Sequence, residues 1–445
     1  MGRLLLVLAL LAAAYTVVMT AWAYRVAEPK RGAILASAHN AALAVWGLLT
    51  AACLSLTYLF LTNDFSVNYV WGHSSVNQPL IFKISALWGG QAGSLLLWAW
   101  MLALYGLVLA LYGRRTRNEI APTAVAVLTS VSVFFVGLVV FVANPFARVD
   151  GPVPSEGIGL NPLLQNYWMQ IHPPTLYAGY VGCTVPFAWA AAALLHRRFD
   201  KDWVELVRRW TLLPWIILTC GIIMGGAWAY ETLGWGGYWA WDPVENASLM
   251  PWLTATAFLH SIMIQGRRGM LKNWNVVLVS LTFLLSIFGT FLTRSGVVAS
   301  VHSFAESKEI GTWFLTFLAL ALIFSFGLIL WRRDDLSSRA EFDSVFSREG
   351  AFLLNNWILL CAAFAVLWGT VYPAIREALT GEQTTVGAPY FNRVMAPLGL
   401  LILALTGIGP LMAWRRSSPG SLLRTLRIPI LAGLATAPLL WLLST

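Results

Sequence analysis

Six histidines and one tryptophan-dense stretch are the residues of this sequence best suited to chemistry. The histidines are His39, His73, His172, His196, His260 and His302, and the stretch is WAYETLGWGGYWAWDPVENASLMPW at 228–252. Five of its 25 positions are tryptophan (Trp228, Trp235, Trp239, Trp241 and Trp252), with Tyr230 and Tyr238 between them. Tryptophan and tyrosine gather at membrane–water interfaces, but an ordinary belt supplies roughly one or two indoles per helix end. Indoles interleaved with glycines, as in GWGGYWAW, read instead as a platform for a large, flat, apolar ligand.

His172, in MQIHPPTLY, and His302, in TRSGVVASVHSF, stand at the outer ends of apolar runs, on the same side as the tryptophans. Two imidazoles flanking an indole cluster point to a bis-imidazole iron site, because histidine is a common axial ligand of haem. His260 follows Pro243 by 17 residues. At about 1.5 Å per helical residue it lies roughly 25 Å deeper. It is therefore intramembrane and too distant to share an iron with the outer pair. An ionisable side chain at such depth is a functional candidate by default. Its partner is either His39, near the inner side of the second apolar run, or a group outside this chain. His196 opens an HRR cluster and reads as solvated, and His73 reads as an ordinary polar loop residue. Asp242, Pro243 and Glu245 occupy the N-cap, N1 and N3 positions of a capping box, so the two carboxylates have mainly a structural role.

The elements that hold these residues are membrane helices. Hydrophobic residues make up 58% of the 445 positions and charged ones 11%, with a mean hydropathy of +0.69. A soluble domain carries about 25% charged residues. Twelve apolar runs approach the length of a spanning helix: 4–23, 38–62, 94–112, 122–143, 174–195, 210–227, 247–265, 275–292, 311–331, 351–372, 396–414 and 428–443. Helices alone satisfy their own backbone in lipid without closing a barrel. Of the 29 Lys and Arg residues, 22 fall in the odd-numbered loops, which the positive-inside bias assigns to the cytoplasm, leaving both termini outside. The net charge of +9 is thus topogenic and implies no nucleic acid. Only Arg3 precedes the first run, whereas Arg25, Lys30 and Arg31 follow it. That order is the reverse of a secretory signal, so the first helix is expected to be retained. Cys53, Cys183, Cys220 and Cys361 lie singly in apolar runs, without CxxC or CxxCH. This argues against thiol–disulfide exchange, structural zinc and a covalent c-type haem. The expected fold is an all-α polytopic membrane protein, one domain over 1–445 of about 12 transmembrane helices, with a periplasmic N-terminus and a Trp-rich periplasmic segment at 228–252.

Four stretches carry a family resemblance: WGGQAGSLLLW at 88–98, NPLLQNYWMQIHPPTLYAGYVG at 161–182, WGGYWAWDPVENASLMPW at 235–252 and GTFLTRSGVVASVHSF at 289–304. In these the chain resembles the CcmF family, the membrane component of the bacterial cytochrome c haem lyase, within a wider group of haem-handling proteins. The resemblance implies a multi-pass protein of the bacterial cytoplasmic (inner) membrane with its site on the periplasmic face. It implies haem received from a CcmE-type periplasmic chaperone and joined to CxxCH motifs of apocytochrome c. CcmH/CcmI-type factors would present that apocytochrome, and the lipid bilayer is the remaining partner. The transferred haem b would lie against Trp228, Trp235, Trp239, Trp241 and Asp242, its iron held by His172 and His302. A second, structural haem b lies within the membrane, and one of its two ligands maps to His260. The other occurs in a later part of longer family members. No histidine follows position 302 here, and 373–395 is too short for the family's C-terminal periplasmic domain, so that domain and the last helices are expected to be missing.

The implied chemistry is addition of two cysteine thiols across two haem vinyl groups, with His172 and His302 as the catalytic pair. Catalysis then rests on holding haem and peptide in reactive alignment. Arg294 lies on the outer face within the 289–304 stretch, where it either pairs with a haem propionate or caps a helix or snorkels. Two rival readings are a haem exporter, disfavoured by the lack of charged residues deep in the spans, and a quinol-linked haem-reducing electron-transfer protein, which needs a second intramembrane histidine at matching depth.

Overall fold

The structure, a computed structural model, describes residues 1–232, 236–298, 300, 307–338, 343–416 and 418–444. The backbone is helical almost throughout. In order the helices are α1 (Gly2–Ala23), α2 (Lys30–Leu61), α3 (Asn68–His73), α4 (Leu80–Ser85), α5 (Gln91–Thr116), α6 (Ala121–Phe141), α7 (Trp168–Gly182), α8 (Thr184–His196), α9 (Lys201–Thr232), α10 (Pro243–Arg268), α11 (Lys272–Ser295), α12 (Lys308–Trp331), α13 (Arg348–Thr380), α14 (Ala388–Ile408) and α15 (Pro419–Ser444). Among the described residues no strand forms; a lone antiparallel bridge pairs Val67 with Arg148.

Among the described residues eleven spans are long and apolar enough to cross a membrane, α7 and α8 counting as one continuous span. The protein is thus a polytopic, all-α membrane protein. The twelfth apolar run, 428–443, falls within α15 and is not among the eleven. Helices α1, α2, α9, α12 and α14 bury under a third of their apolar windows, whereas the span α7–α8 buries 89% of it. The first group lies at the outside of the bundle and the second at its centre. Around that centre α9 packs on α7, α10 on α9, α11 and α13, and α5 on α2 and α6.

Two local features of the sequence make the α7–α9 contact. Gly221 and Gly225, spaced as in GxxxG, and Gly179 let the backbones approach closely. A Cβ on Gly179 would stand 2.4 Å from the Leu218 nitrogen, and one on Gly221 would stand 2.7 Å from Leu176 Cα. At the bundle centre Phe187 stacks on Phe283 at 4.2 Å, and Trp189 is fully buried. At the tryptophan-bearing end, the connections 63–90 and 144–167 fold over the helix termini. Lys83 braces the first of them by donating to Asn63 Oδ1 at 2.7 Å and to the Val76 carbonyl at 3.1 Å. Val76 N in turn donates to the Glu156 carboxylate at 2.8 Å. Two such backbone donors, from Val76 and Gly157, hold the Glu156 pKa below its ordinary value.

Candidate functional site

His172 sits within α7, one residue before Pro173 and Pro174. Proline has no N–H, so Pro173 leaves the carbonyl four residues earlier without its helical donor. That carbonyl, on Met169, accepts Trp88 Nε1 at 2.9 Å instead. The proline pair therefore fastens the WGG segment beside His172.

The His172 ring is fixed from the other side by α9. Its Nδ1 lies 2.9 Å from the Gly221 carbonyl. A carbonyl only accepts, so Nδ1 donates in this bond, and the backbone of α9 fixes the orientation of the ring. Trp228 stands edge-on to the ring at 5.6 Å. Gly225 makes room for it, since a Cβ there would stand 2.7 Å from His172 Cε1.

His172 and Trp228 open into one cavity of about 180 Å³, bounded by α5, α7, α9, α10 and α11. Arg294, at the last turn of α11, also lines it. This arginine is only 7% exposed. It donates to Ser94 Oγ at 2.9 Å and to the Tyr177 hydroxyl at 3.4 Å, while its Nε has no partner. The snorkelling alternative therefore does not hold, because the guanidinium points inward. No Asp or Glu lines the cavity among the described residues.

The remaining tryptophans divide. Trp239 and Trp241 meet edge to face at 5.7 Å, and Trp241 stacks on Phe391 of α14 at 5.1 Å while its Nε1 donates to Asn392. Both lie beyond the cavity wall. Trp252 belongs to the helix interior: it stacks on Trp215 at 6.0 Å and donates to Thr219. Trp235 and His302 lie outside the described residues. The neighbours of His302 along the chain are held at this end of the bundle. Ser300 donates to Asp242 Oδ1 at 2.6 Å, and Ser307 N donates to the Arg294 carbonyl at 3.0 Å.

Asp242 and Glu245 form the capping box at the start of α10. Asp242 Oδ1 accepts Val244 N, and Glu245 accepts Ala240 N and Asp242 N. Asn246, 1% exposed, donates to the Trp241 carbonyl and to Thr370. Trp241 has a left-handed φ of +60°. This turn is thus clamped from three directions before α10 begins.

His260 lies on the same continuous helix as Pro243, as its spacing requires, and faces α13. Its Nδ1 is 2.7 Å from the Asn355 amide, and it stacks on Phe352 at 5.3 Å. His39 is not brought to it: α2 packs on α1, α5 and α6, and α10 packs on α9, α11 and α13. His196 bonds Thr123. His73, which the sequence suggested was merely polar, supports the cavity rim. Its Nδ1 bonds the Tyr69 carbonyl at 2.9 Å, and a Cβ on Gly90 would stand 2.2 Å from its Nε2.

Residues 88–298 match the family described as Cytochrome C assembly protein. The chain is 45% identical over 416 residues to the cytochrome c-type biogenesis protein CycK of Rhizobium meliloti (strain 1021), covering 94% of this chain and 61% of that one. It is 40% identical over 410 residues to the cytochrome c-type biogenesis protein CcmF of Escherichia coli (strain K12), covering 92% and 63%. A solved structure, Cytochrome c Heme Lyase CcmF, aligns with a TM-score of 0.79 at 37% identity, over 99% of this chain and 66% of that one. Over most of its own length the chain is similar to CcmF proteins. It spans about three-fifths of the length of these curated CcmF-type relatives. The family match runs from Trp88 to four residues beyond Arg294, so it contains every residue of the cavity lining. Gln91, Ser94, Trp98 and Tyr177 were not singled out from the sequence, although the first three lie in the WGGQAGSLLLW stretch that carries the CcmF resemblance.

Proposed function

We propose that this chain is the haem-lyase component of a cytochrome c maturation system, acting at the tryptophan-bearing end. The observation that carries the reading is one apolar cavity holding an imidazole oriented by a backbone carbonyl, an indole beside it, and a buried arginine with no carboxylate in the lining among the described residues. A haem presents the matching parts: a Lewis-acidic iron, a flat apolar ring and anionic propionates. Haem is the substrate here, b-type until it is attached.

In this reading His172 ligates the iron from α7, and His302, two residues from Ser300 in the sequence, is the second ligand. Trp228 supplies the indole surface inside the cavity, Trp239 and Trp241 add to it from beyond the wall, Trp235 is assigned to the same surface, and Arg294 neutralises a propionate. Asp242 acts through the turn it caps. Each thiol of a CxxCH peptide adds across one vinyl group, the sulfur bonding one carbon and its hydrogen passing to the other. The atoms balance without an external oxidant. The protein contributes alignment of the two partners. One imidazole yields its place when the peptide's own histidine arrives. The haem donor is a CcmE-type chaperone and the peptide is presented by CcmH/CcmI-type factors. The site faces the periplasm from the inner membrane.

A second, resident haem b at His260 fits this chain in part. The Asn355 amide orients the ring, but α9, α11 and α13, which surround His260, carry no histidine. This chain supplies one imidazole there, and no step of the chemistry is drawn through it.

The test is optical spectroscopy of the purified, haem-loaded chain with the variants His172→Ala, His302→Ala and His260→Ala, together with covalent cytochrome c formation in cells. Loss of the outer-site spectrum and of maturation in the first two variants is expected. Unchanged spectra and maturation in all three would overturn the assignment. In cells lacking the gene, haem-loaded chaperone beside empty apocytochrome marks a lyase, and an empty chaperone marks an exporter.

A further inference from the structure

The cavity that holds His172 has a chemical bias that the imidazole and the indole do not explain. Four of its lining residues carry a buried N–H group without a hydrogen-bond partner: Gln91 Nε2, Trp98 Nε1, Trp228 Nε1 and Arg294 Nε. All four are donors, and one is a cation. Buried donors are ordinarily paired, so a cluster of unpaired ones asks for a ligand that accepts.

Three of the four lie along one wall of the cavity. Gln91, Ser94 and Trp98 are spaced at i, i+3 and i+7 along α5, which puts them on one face. Arg294 crosses from α11 to bond Ser94 on that face at 2.9 Å, and reaches Tyr177 of α7 at 3.4 Å. The Trp98 and Tyr177 rings lie 5.6 Å apart. Trp98 is itself clamped, stacked on Phe135 at 5.1 Å and 2% exposed, so its N–H direction is set by packing. Arg294 is likewise held by two hydroxyls, neither of which neutralises its charge. Charge-assisted bonds from a guanidinium to a carboxylate are the strong kind, and a planar donor fork suits a planar acceptor.

We propose that Arg294, Gln91 and Trp98 form a carboxylate-binding subsite that takes the propionates of the tetrapyrrole, making the cavity selective for free-acid porphyrins over esterified ones. The inference rests on the haem-binding reading above and extends it: selection is made on the ring's acidic edge, separately from iron ligation. Because the iron plays no part in this step, the subsite works on a metal-free ring.

The experiment uses the full chain in detergent and iron-free protoporphyrin IX, followed by porphyrin fluorescence, with its dimethyl ester as the comparison ligand. The diacid is expected to bind about ten- to a hundredfold more tightly than the diester, the range of one or two charge-assisted bonds. Arg294→Gln and Trp98→Phe should each weaken the diacid and leave the diester unchanged. Trp98→Phe keeps the ring and removes only the N–H, so it carries the test if Arg294→Gln does not fold. Equal affinity for diacid and diester in the native chain overturns the subsite and leaves the haem site standing. Full competition of the diacid by succinate at equal concentration assigns the donors to a small carboxylate and also overturns the proposal. Failure of both porphyrins to bind while haem still binds overturns the subsite alone, and failure of haem to bind as well removes the haem reading itself.

Discussion

His172 is oriented by three things that are not ligands: the Gly221 carbonyl, the Trp228 edge and the space above Gly225. The residue-scale prediction follows from the last. Gly225→Ala places a methyl group 2.7 Å from the imidazole. Disturbing the groups that orient a metal ligand typically costs about 10- to 100-fold in affinity. Haem titration of Gly225→Ala should show a loss in that range with a weakened Soret band. An unchanged affinity would mean that the ring does not need this pose. Asp242 behaves differently, because its bonds are those of a helix cap. Asp242→Ala should lower stability by about 1 kcal/mol, the usual loss for an N-cap, read as a lower Tm in detergent. Glu245→Gln should be milder, since glutamine also completes a capping box.

Among the elements, α3 and the segment after α4 form the rim of the cavity, joined through His73, Tyr69 and Gly90. The Tyr69 hydroxyl accepts Gly90 N at 3.0 Å and lies 3.2 Å from the Ala86 and Leu87 carbonyls. Burial pushes the His73 pKa below its ordinary 6.5, the bond to the Tyr69 carbonyl partly opposing this. In the window below 6.5 the unfolded chain therefore binds the proton first. Stability contributed by this group is present above that pH and is lost as pH falls towards the lowered folded value. Amide exchange of residues 69–93 should quicken as pH drops from about 7.5 to 5.5, after correction for intrinsic rates. The pH dependence should shrink in His73→Asn. If the variant and the native chain respond alike, His73 is not the sensor of this rim. At the far end of α10, the Asn355 amide plays a comparable part for His260.

For the whole molecule, the distribution of basic residues sets which end of the bundle faces the cytoplasm. An alkaline phosphatase fusion in the 150–160 connection should be active and one at 197–200 inactive; the reverse pattern would turn the topology over and put the cavity on the wrong side for a periplasmic haem donor. Much of this architecture was legible before any coordinates. Long apolar runs have few options in lipid, so helices and their number could be counted, and Asp242-Pro243-x-Glu245 announced the start of α10 because capping is local in sequence. His172 and Trp228 were found for the same reason: a histidine beside two prolines and a cluster of indoles are visible one segment at a time. What no segment displays is which segments meet. Gln91, Trp98 and Tyr177 look like ordinary helix residues until α5, α7 and α11 are brought together, and Arg294 read equally as a snorkelling side chain. His39 and His260 looked like possible partners only until α2 and α10 were seen to pack elsewhere. Composition and spacing decided the elements and their caps through short-range backbone chemistry. Only tertiary packing decided the cavity, because pairing of donors and compensation of charge are properties of neighbours distant in sequence.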